Sequence, residues 1–147
     1  HSFFTQYPKK NYEYIENRYI RHPRYKYKFL PIYENGILLS IPIFREITVN
    51  GINIARIVDS FGENIMSVKF NSVFSQIIED LDLEYIDLVS NMKCESGSGF
   101  IQSSDLVTIP NYFEPFERKN VKVDFAYKSD VELIIFRGDS DQDRPNL

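Results

Sequence analysis

The chain has 147 residues, 43% apolar and 26% charged, with a net charge of −4 and one cysteine. That is the size and balance of one globular domain with a real core. It has no apolar run near the ~18 residues of a membrane span, and its single thiol excludes an internal disulfide and a cysteine-based zinc site. The N-terminus lacks the basic, apolar and small-residue order of a signal peptide, and the single thiol fits a reducing cytoplasm best. An acidic chain gives no reason to expect nucleic acid. The charge is uneven, with Lys9, Lys10, Arg18, Arg21, Arg24, Lys26 and Lys28 near the start and an acidic final stretch. This pattern favours two solvated faces that approach each other over a polyanion site.

In chain order, Tyr12, Ile15 and Tyr19 follow helical spacing over 9–21, with Pro8 suited to the first turn and His22-Pro23 as a stop. Tyr25, Tyr27 and Phe29 alternate with Lys26 and Lys28, which predicts a half-buried strand. Aromatic and basic interleaving can also mark single-stranded nucleic-acid binding; core packing is the favoured reading here. Asn35-Gly36 and Asn50-Gly51 both supply the positive φ of tight hairpin turns. Strands at 37–47 and 52–58 therefore complete a three-strand antiparallel meander over 25–58, and Pro42 predicts a bulge.

Residues 59–64 break the pattern. Residues 65–81 read as a helix with Val68, Val73, Phe74, Ile77, Ile78 and Leu81 inward, and 85–90 as a buried strand. Strand, helix and strand at this length predict a parallel, right-handed crossover. A flexible loop around 95–99, a short strand at 106–109 and a self-packed aromatic loop at 110–119 follow. Strands at 121–127 and 131–136, turned at 128–130, predict a closing hairpin before an irregular polar tail. The fold class is α+β, in one domain over 1–147.

The strand-turn-helix at 54–68 is the best candidate site. A helix start after a glycine turn offers free N–H groups and a positive dipole end to phosphate, although Gly62 stands alone and Glu63 beside it repels anions. Asp139, Asp141 and Asp143 open like a calcium loop, but Arg144 stands where glycine is required. A solvated acidic tail is favoured and no metal is expected. His22 and Cys94 show no catalytic partner, and no serine sits in a nucleophile elbow.

The order of elements is similar to the GNAT acyltransferase fold from its second helix onward. The stretches NRYIRHPRYKYKFLPIYENG at 17–36, RIVDSFG at 56–62, IPNYFEPFERKNVKVDFAYKSD at 109–130 and FRGDSDQDRPN at 136–146 resemble a branch of GNAT-like proteins found with bacterial surface-polysaccharide genes. The likeness runs from about residue 11 to the end and lacks the family's first strand and helix. It implies a mixed sheet and transfer of an acyl group from acetyl-CoA or another acyl-CoA to a small-molecule amine, with an amino sugar as the expected acceptor. The donor pyrophosphate would lie on the turn formed by Ser60, Phe61, Gly62, Glu63, Asn64 and Ile65, where only Gly62 matches the family's glycine pattern. Glu46 and Asp59 are the carboxylates implied to take the amine proton, and Tyr112 the phenol implied to protonate the departing thiolate. The resemblance further implies a missing N-terminal half or a homodimer. The alternative is a non-catalytic binding or dimerisation domain with a degenerate cofactor turn and an interface at 112–116.

Overall fold

A computed structural model describes residues 8–104, 106–110, 119–120 and 123–140. Two long strands, β3 (Ile37–Val49) and β4 (Ile52–Gly62), carry the sheet. They meet at Asn50 and Gly51, with φ of 54° and 81°, the positive values a two-residue hairpin turn needs. Their antiparallel ladder runs from Val49↔Ile52 to Ser40↔Gly62. The other side of β3 takes β1 (Lys28–Phe29) and β2 (Ile32–Glu34), both antiparallel. The other side of β4 takes β5 (Leu83–Leu88) in parallel. The α+β class, the meander and the parallel crossover are thus all present in one five-stranded mixed sheet. Beside Pro42 the β3–β4 register slips between Ile43 and Phe44, the predicted bulge.

Residues 54–61 of β4 are all buried, as expected of a strand covered on both faces. Ile57 belongs to a large cluster with Phe44, Phe70, Phe74 and Phe136, whereas its neighbour Val58 joins a smaller one with Tyr19, Ile43 and Phe61. Alternate side chains of a strand point to opposite faces, so the helix carrying Phe74 and the segment carrying Tyr19 cover different faces.

The helices differ from their predicted bounds for identifiable reasons. The first begins at Tyr12, not Lys9, because Asn11 Oδ1 accepts the Tyr14 N–H at 2.8 Å and caps it. This helix, α1 (Tyr12–Ile15), widens into a π turn over Glu16–Ile20. The second, α2 (Asn71–Asp80), follows a 3-10 turn at Val68–Phe70 rather than starting at Ile65. Asn64 Oδ1 takes the Met66 N–H at 2.9 Å and Ser67 is extended, so the chain turns before it coils. Val68, expected inward, is 51% exposed.

Tyr25 and Tyr27 also fall outside the strand predicted for them. Tyr25 stacks on His22 with the Arg45 guanidinium 4.2 Å from its ring centroid. The predicted strand at 106–109 is reduced to a Ser104↔Val107 bridge. No ladder forms in the described part of the closing hairpin, 123–136. Instead the Asn91 side chain bonds the Ile135 N–H and the Leu133 carbonyl, each at 2.8 Å, doing for this segment what a neighbouring strand would do. Val121, Lys122 and the aromatic loop at 112–116 lie outside the described residues.

Candidate functional site

The predicted cofactor turn is brought together at the end of β4. Ser60 and Phe61 are buried, Ile65 fully so, and Gly62 has a φ of 101°. Ser40 Oγ donates to the Phe61 carbonyl at 2.9 Å and lies 3.2 Å from Ser60 Oγ. The turn's amides serve the chain itself. Glu63 N–H donates to the Leu39 carbonyl and Ser67 N–H to that of Asn64, while Met66 N–H is held by the Asn64 side chain. Val68 N–H donates to Glu95 Oε2 at 3.1 Å, so a carboxylate of this chain occupies the start of the helical segment, where a helix favours negative charge. Glu63 is engaged by Lys69 at 3.2 Å.

The catalytic candidates are not gathered into one constellation. Glu46 faces Ala55 and Asp59 faces Ile43 across the ladder, at different levels of the sheet. Glu46 pairs with Lys28 at 2.6 Å and keeps 31% of its side chain exposed. Tyr112 lies outside the described residues. Asp59 has no exposure at all. Its Oδ1 accepts from Lys10 Nζ at 2.6 Å and from Ser60 N–H at 2.8 Å, and its Oδ2 from Tyr19 Oη at 2.6 Å.

Lys10 also reaches the two oxygens of Asp139, at 2.8 and 2.9 Å. Burial raises the Asp59 carboxyl above its usual range against the lowering effect of Lys10. Burial first, then Asp139 and Asp59, pushes the Tyr14 phenol up to about 12, and Tyr19 is raised further. Lys10 and Tyr19 were absent from the sequence-based candidates, and Asp139 was weighed only as part of a calcium-like loop. The signal for them was the opposite charge of the two chain ends, which do meet; Lys10 and Asp139, however, meet in the interior and not on solvated faces.

The segment carrying Asp139 also fills space beside β4. The β4–β5 ladder ends at Ile57↔Leu88. From there Phe136 bridges Ser90, and Arg137 N–H donates to the Val89 carbonyl at 3.2 Å. Gly138 lies so close to the body that a Cβ would stand 2.7 Å from the Val58 carbonyl oxygen and 2.3 Å from Tyr19 Oη. Residues 136–139 thus pack against the wall formed by β4 and Tyr19.

A groove of about 1010 Å³ lies between α2, β5 and the 98–110 stretch. Its floor holds Arg56 and Asp87, partners in the parallel ladder. Arg56 Nε donates to Asp87 Oδ1 at 2.6 Å and Nη2 donates to Oδ2, a bidentate pair that fixes both side chains. Around it stand Asn71, Ser75, Ser90, Gln102, Thr108 and Asn120 beside Phe74, Ile78 and Ile86. Apolar walls with scattered hydroxyl and amide groups suit a neutral, polar small molecule. Cys94 lines the groove too, 3.5 Å from Ser98 Oγ. His22 does not line it; its Nδ1 accepts the N–H groups of Arg24 and Tyr25, a turn-forming role.

Among the described residues no cluster of three or more His, Cys, Asp or Glu could hold a metal ion, and no helix is long and apolar enough to cross a membrane. No family model, no curated protein and no solved structure matches the chain.

Proposed function

We propose that this chain is a GNAT-like acyltransferase domain whose groove between α2, β5 and the 98–110 stretch receives the small-molecule acceptor, an amine carried on a sugar. One observation carries this reading. The groove opens on the parallel β4–α2–β5 unit, and a concave site with apolar walls and a few convergent polar groups is the usual form of a small-molecule pocket. The hydroxyl and amide groups along its walls match the hydroxyls of a saccharide. Catalysis in such a site rests on positioning an amine against an acyl carbonyl. Asp59 has a structural role in this reading, because a buried carboxylate bound by Lys10 and Tyr19 is not placed to take a proton from substrate.

A second reading, a binding domain without acyl transfer, is favoured by one specific feature. Within the turn that would meet an acyl-CoA pyrophosphate the Glu63 amide is engaged by Leu39, and just beyond it the amides of Met66, Ser67 and Val68 are engaged by Asn64 and Glu95.

Isothermal titration with acetyl-CoA and with a panel of amino sugars separates the two, using wild type and the groove-filling variant Ser75→Trp. The acyltransferase reading expects both ligands to bind, with sugar affinity falling by about tenfold or more in the variant. Sugar binding without acyl-CoA binding at millimolar concentration selects the second reading. If neither ligand binds, both readings fail.

A further inference from the structure

We infer that the Arg137–Asp139 turn and Ser140 are an internal stand-in for an anionic ligand, and that Lys10, Arg18 and Tyr14 form the phosphate-binding site they cover. The donors converge on one short stretch. Lys10 Nζ straddles both carboxylate oxygens of Asp139 at 2.8 and 2.9 Å. Arg18 Nε donates to the Gly138 carbonyl at 3.1 Å, and Nη2 to the Ser140 carbonyl at 2.9 Å. Tyr14 Oη donates to the Gly138 carbonyl at 3.3 Å. Two cations and a phenol thus surround four oxygens, the arrangement that recognises a phosphoryl group. Asp59 stays on the β4 side of Lys10, and the rings of Phe61 and Phe136 stand 5.6 and 5.5 Å from its Nζ.

The charge count points the same way. Lys10 and Arg18 face Asp59 and Asp139, and Arg137 of the same segment is also buried; with the segment withdrawn, Lys10 and Arg18 are left facing Asp59 alone. That excess attracts an anion more strongly than it does at an exposed surface, because the surroundings screen it less. The Ser90↔Phe136 bridge and the Arg137 to Val89 bond tie the start of this segment to the sheet. Gly138 permits the close fit, since a Cβ there would meet Tyr19 Oη and the Val58 carbonyl. A single methyl group is therefore enough to wedge the stand-in away while leaving Lys10, Arg18 and Tyr14 unchanged. The inference does not depend on acyl transfer, and it is tested without acyl-CoA.

The test is titration of the full chain with inorganic pyrophosphate, comparing wild type, Gly138→Ala and Asp139→Asn, with amide hydrogen exchange followed across 136–140. Both variants are expected to bind pyrophosphate about tenfold or more tightly than wild type, and adding Arg18→Gln is expected to remove the gain. In wild type, saturating pyrophosphate is expected to speed exchange of the Asp139 and Ser140 amides, which bond the Phe136 and Arg137 carbonyls. Asp139→Asn keeps the side chain's shape and decides the matter if Gly138→Ala does not fold. Equal affinity in wild type and folded variants, or bound pyrophosphate with unchanged exchange at 139–140, overturns the inference.

Discussion

Strand β4 carries two buried ionic groups three residues apart, and they are built on opposite principles. Arg56 meets Asp87 on the adjacent strand, at the position the parallel register puts opposite it. Asp59 meets Lys10 from before α1, and Lys10 meets Asp139 from the last described stretch of the chain. The first pair is local to one ladder and opens onto the groove. The second joins three segments distant in sequence; both groups are buried, with side-chain exposures of 2% and 9% for Arg56 and Asp87 against 5%, 0% and 12% for Lys10, Asp59 and Asp139. Removing water from charges is costly and is offset only where geometry and extra hydrogen bonds are good. The comparison therefore assigns different tasks: the Arg56 pair orients a groove floor, and the Lys10 cluster holds the chain ends in place.

Breaking the second cluster is expected to cost most. Lys10→Met leaves two carboxylates buried without their shared cation and is expected to lower stability by about 3–5 kcal/mol, read from urea unfolding. Arg56→Met strands one carboxylate, that of Asp87, rather than two, so about 2 kcal/mol is expected. Equal losses in these two variants would remove the distinction between a three-segment tie and a local pair.

Tyr14→Phe deletes the bond to the Gly138 carbonyl and is expected to cost about 1 kcal/mol. The same phenol gives the wild type a signature at high pH. Burial, with Asp139 and Asp59 nearby, pushes it from the ordinary 10.0 up to about 12, so the folded state holds this proton more tightly than the unfolded chain does. The corresponding stability is fully present below pH 10 and is lost as the pH rises towards 12. Ultraviolet titration should show this tyrosine ionising after the exposed ones, and Tyr14→Phe should flatten that part of the stability curve.

The smallest effect belongs to the groove side of the molecule. Glu95→Gln weakens the charged contact at the start of the helical segment and is expected to cost less than about 1 kcal/mol. Acetyl-CoA titration of this variant also sharpens the choice between the two functional readings. A gain in affinity would show that Glu95 holds the place of a phosphate.

Several features were legible because their causes are local. Asn35-Gly36 and Asn50-Gly51 made the hairpin turns unavoidable, since each needs positive φ at two successive residues. The apolar run of β4 and the amphipathic spacing of Phe74, Ile77 and Ile78 were enough for a crossover. The start of α2 was misplaced because periodicity is blind to the Asn64 side chain, which captures the Met66 N–H before a helix can. The closing hairpin misled for a related reason. The alternation at Val123, Phe125 and Tyr127 is real, but alternation names no partner, and the nearby stretch at 133–135 is bonded by the Asn91 side chain instead.

The site candidates divide along the same line. Gly62 and Glu63 were found from a local pattern, and the turn exists where that pattern put it. Nothing local says that its Glu63 amide would be taken by Leu39, or the Val68 amide beyond it by Glu95, residues more than twenty positions away. Asp59 was singled out for its chemistry, and its surroundings turned that carboxylate into part of a buried tie. By itself, then, the sequence determined the α+β class, the meander, the parallel crossover and the position of the turn, because each follows from backbone preference and side-chain period over a few residues. Only the tertiary structure decided which charges lost their water, since Lys10, Asp59 and Asp139 become neighbours only when the segment before α1 and the 136–140 segment close on β4.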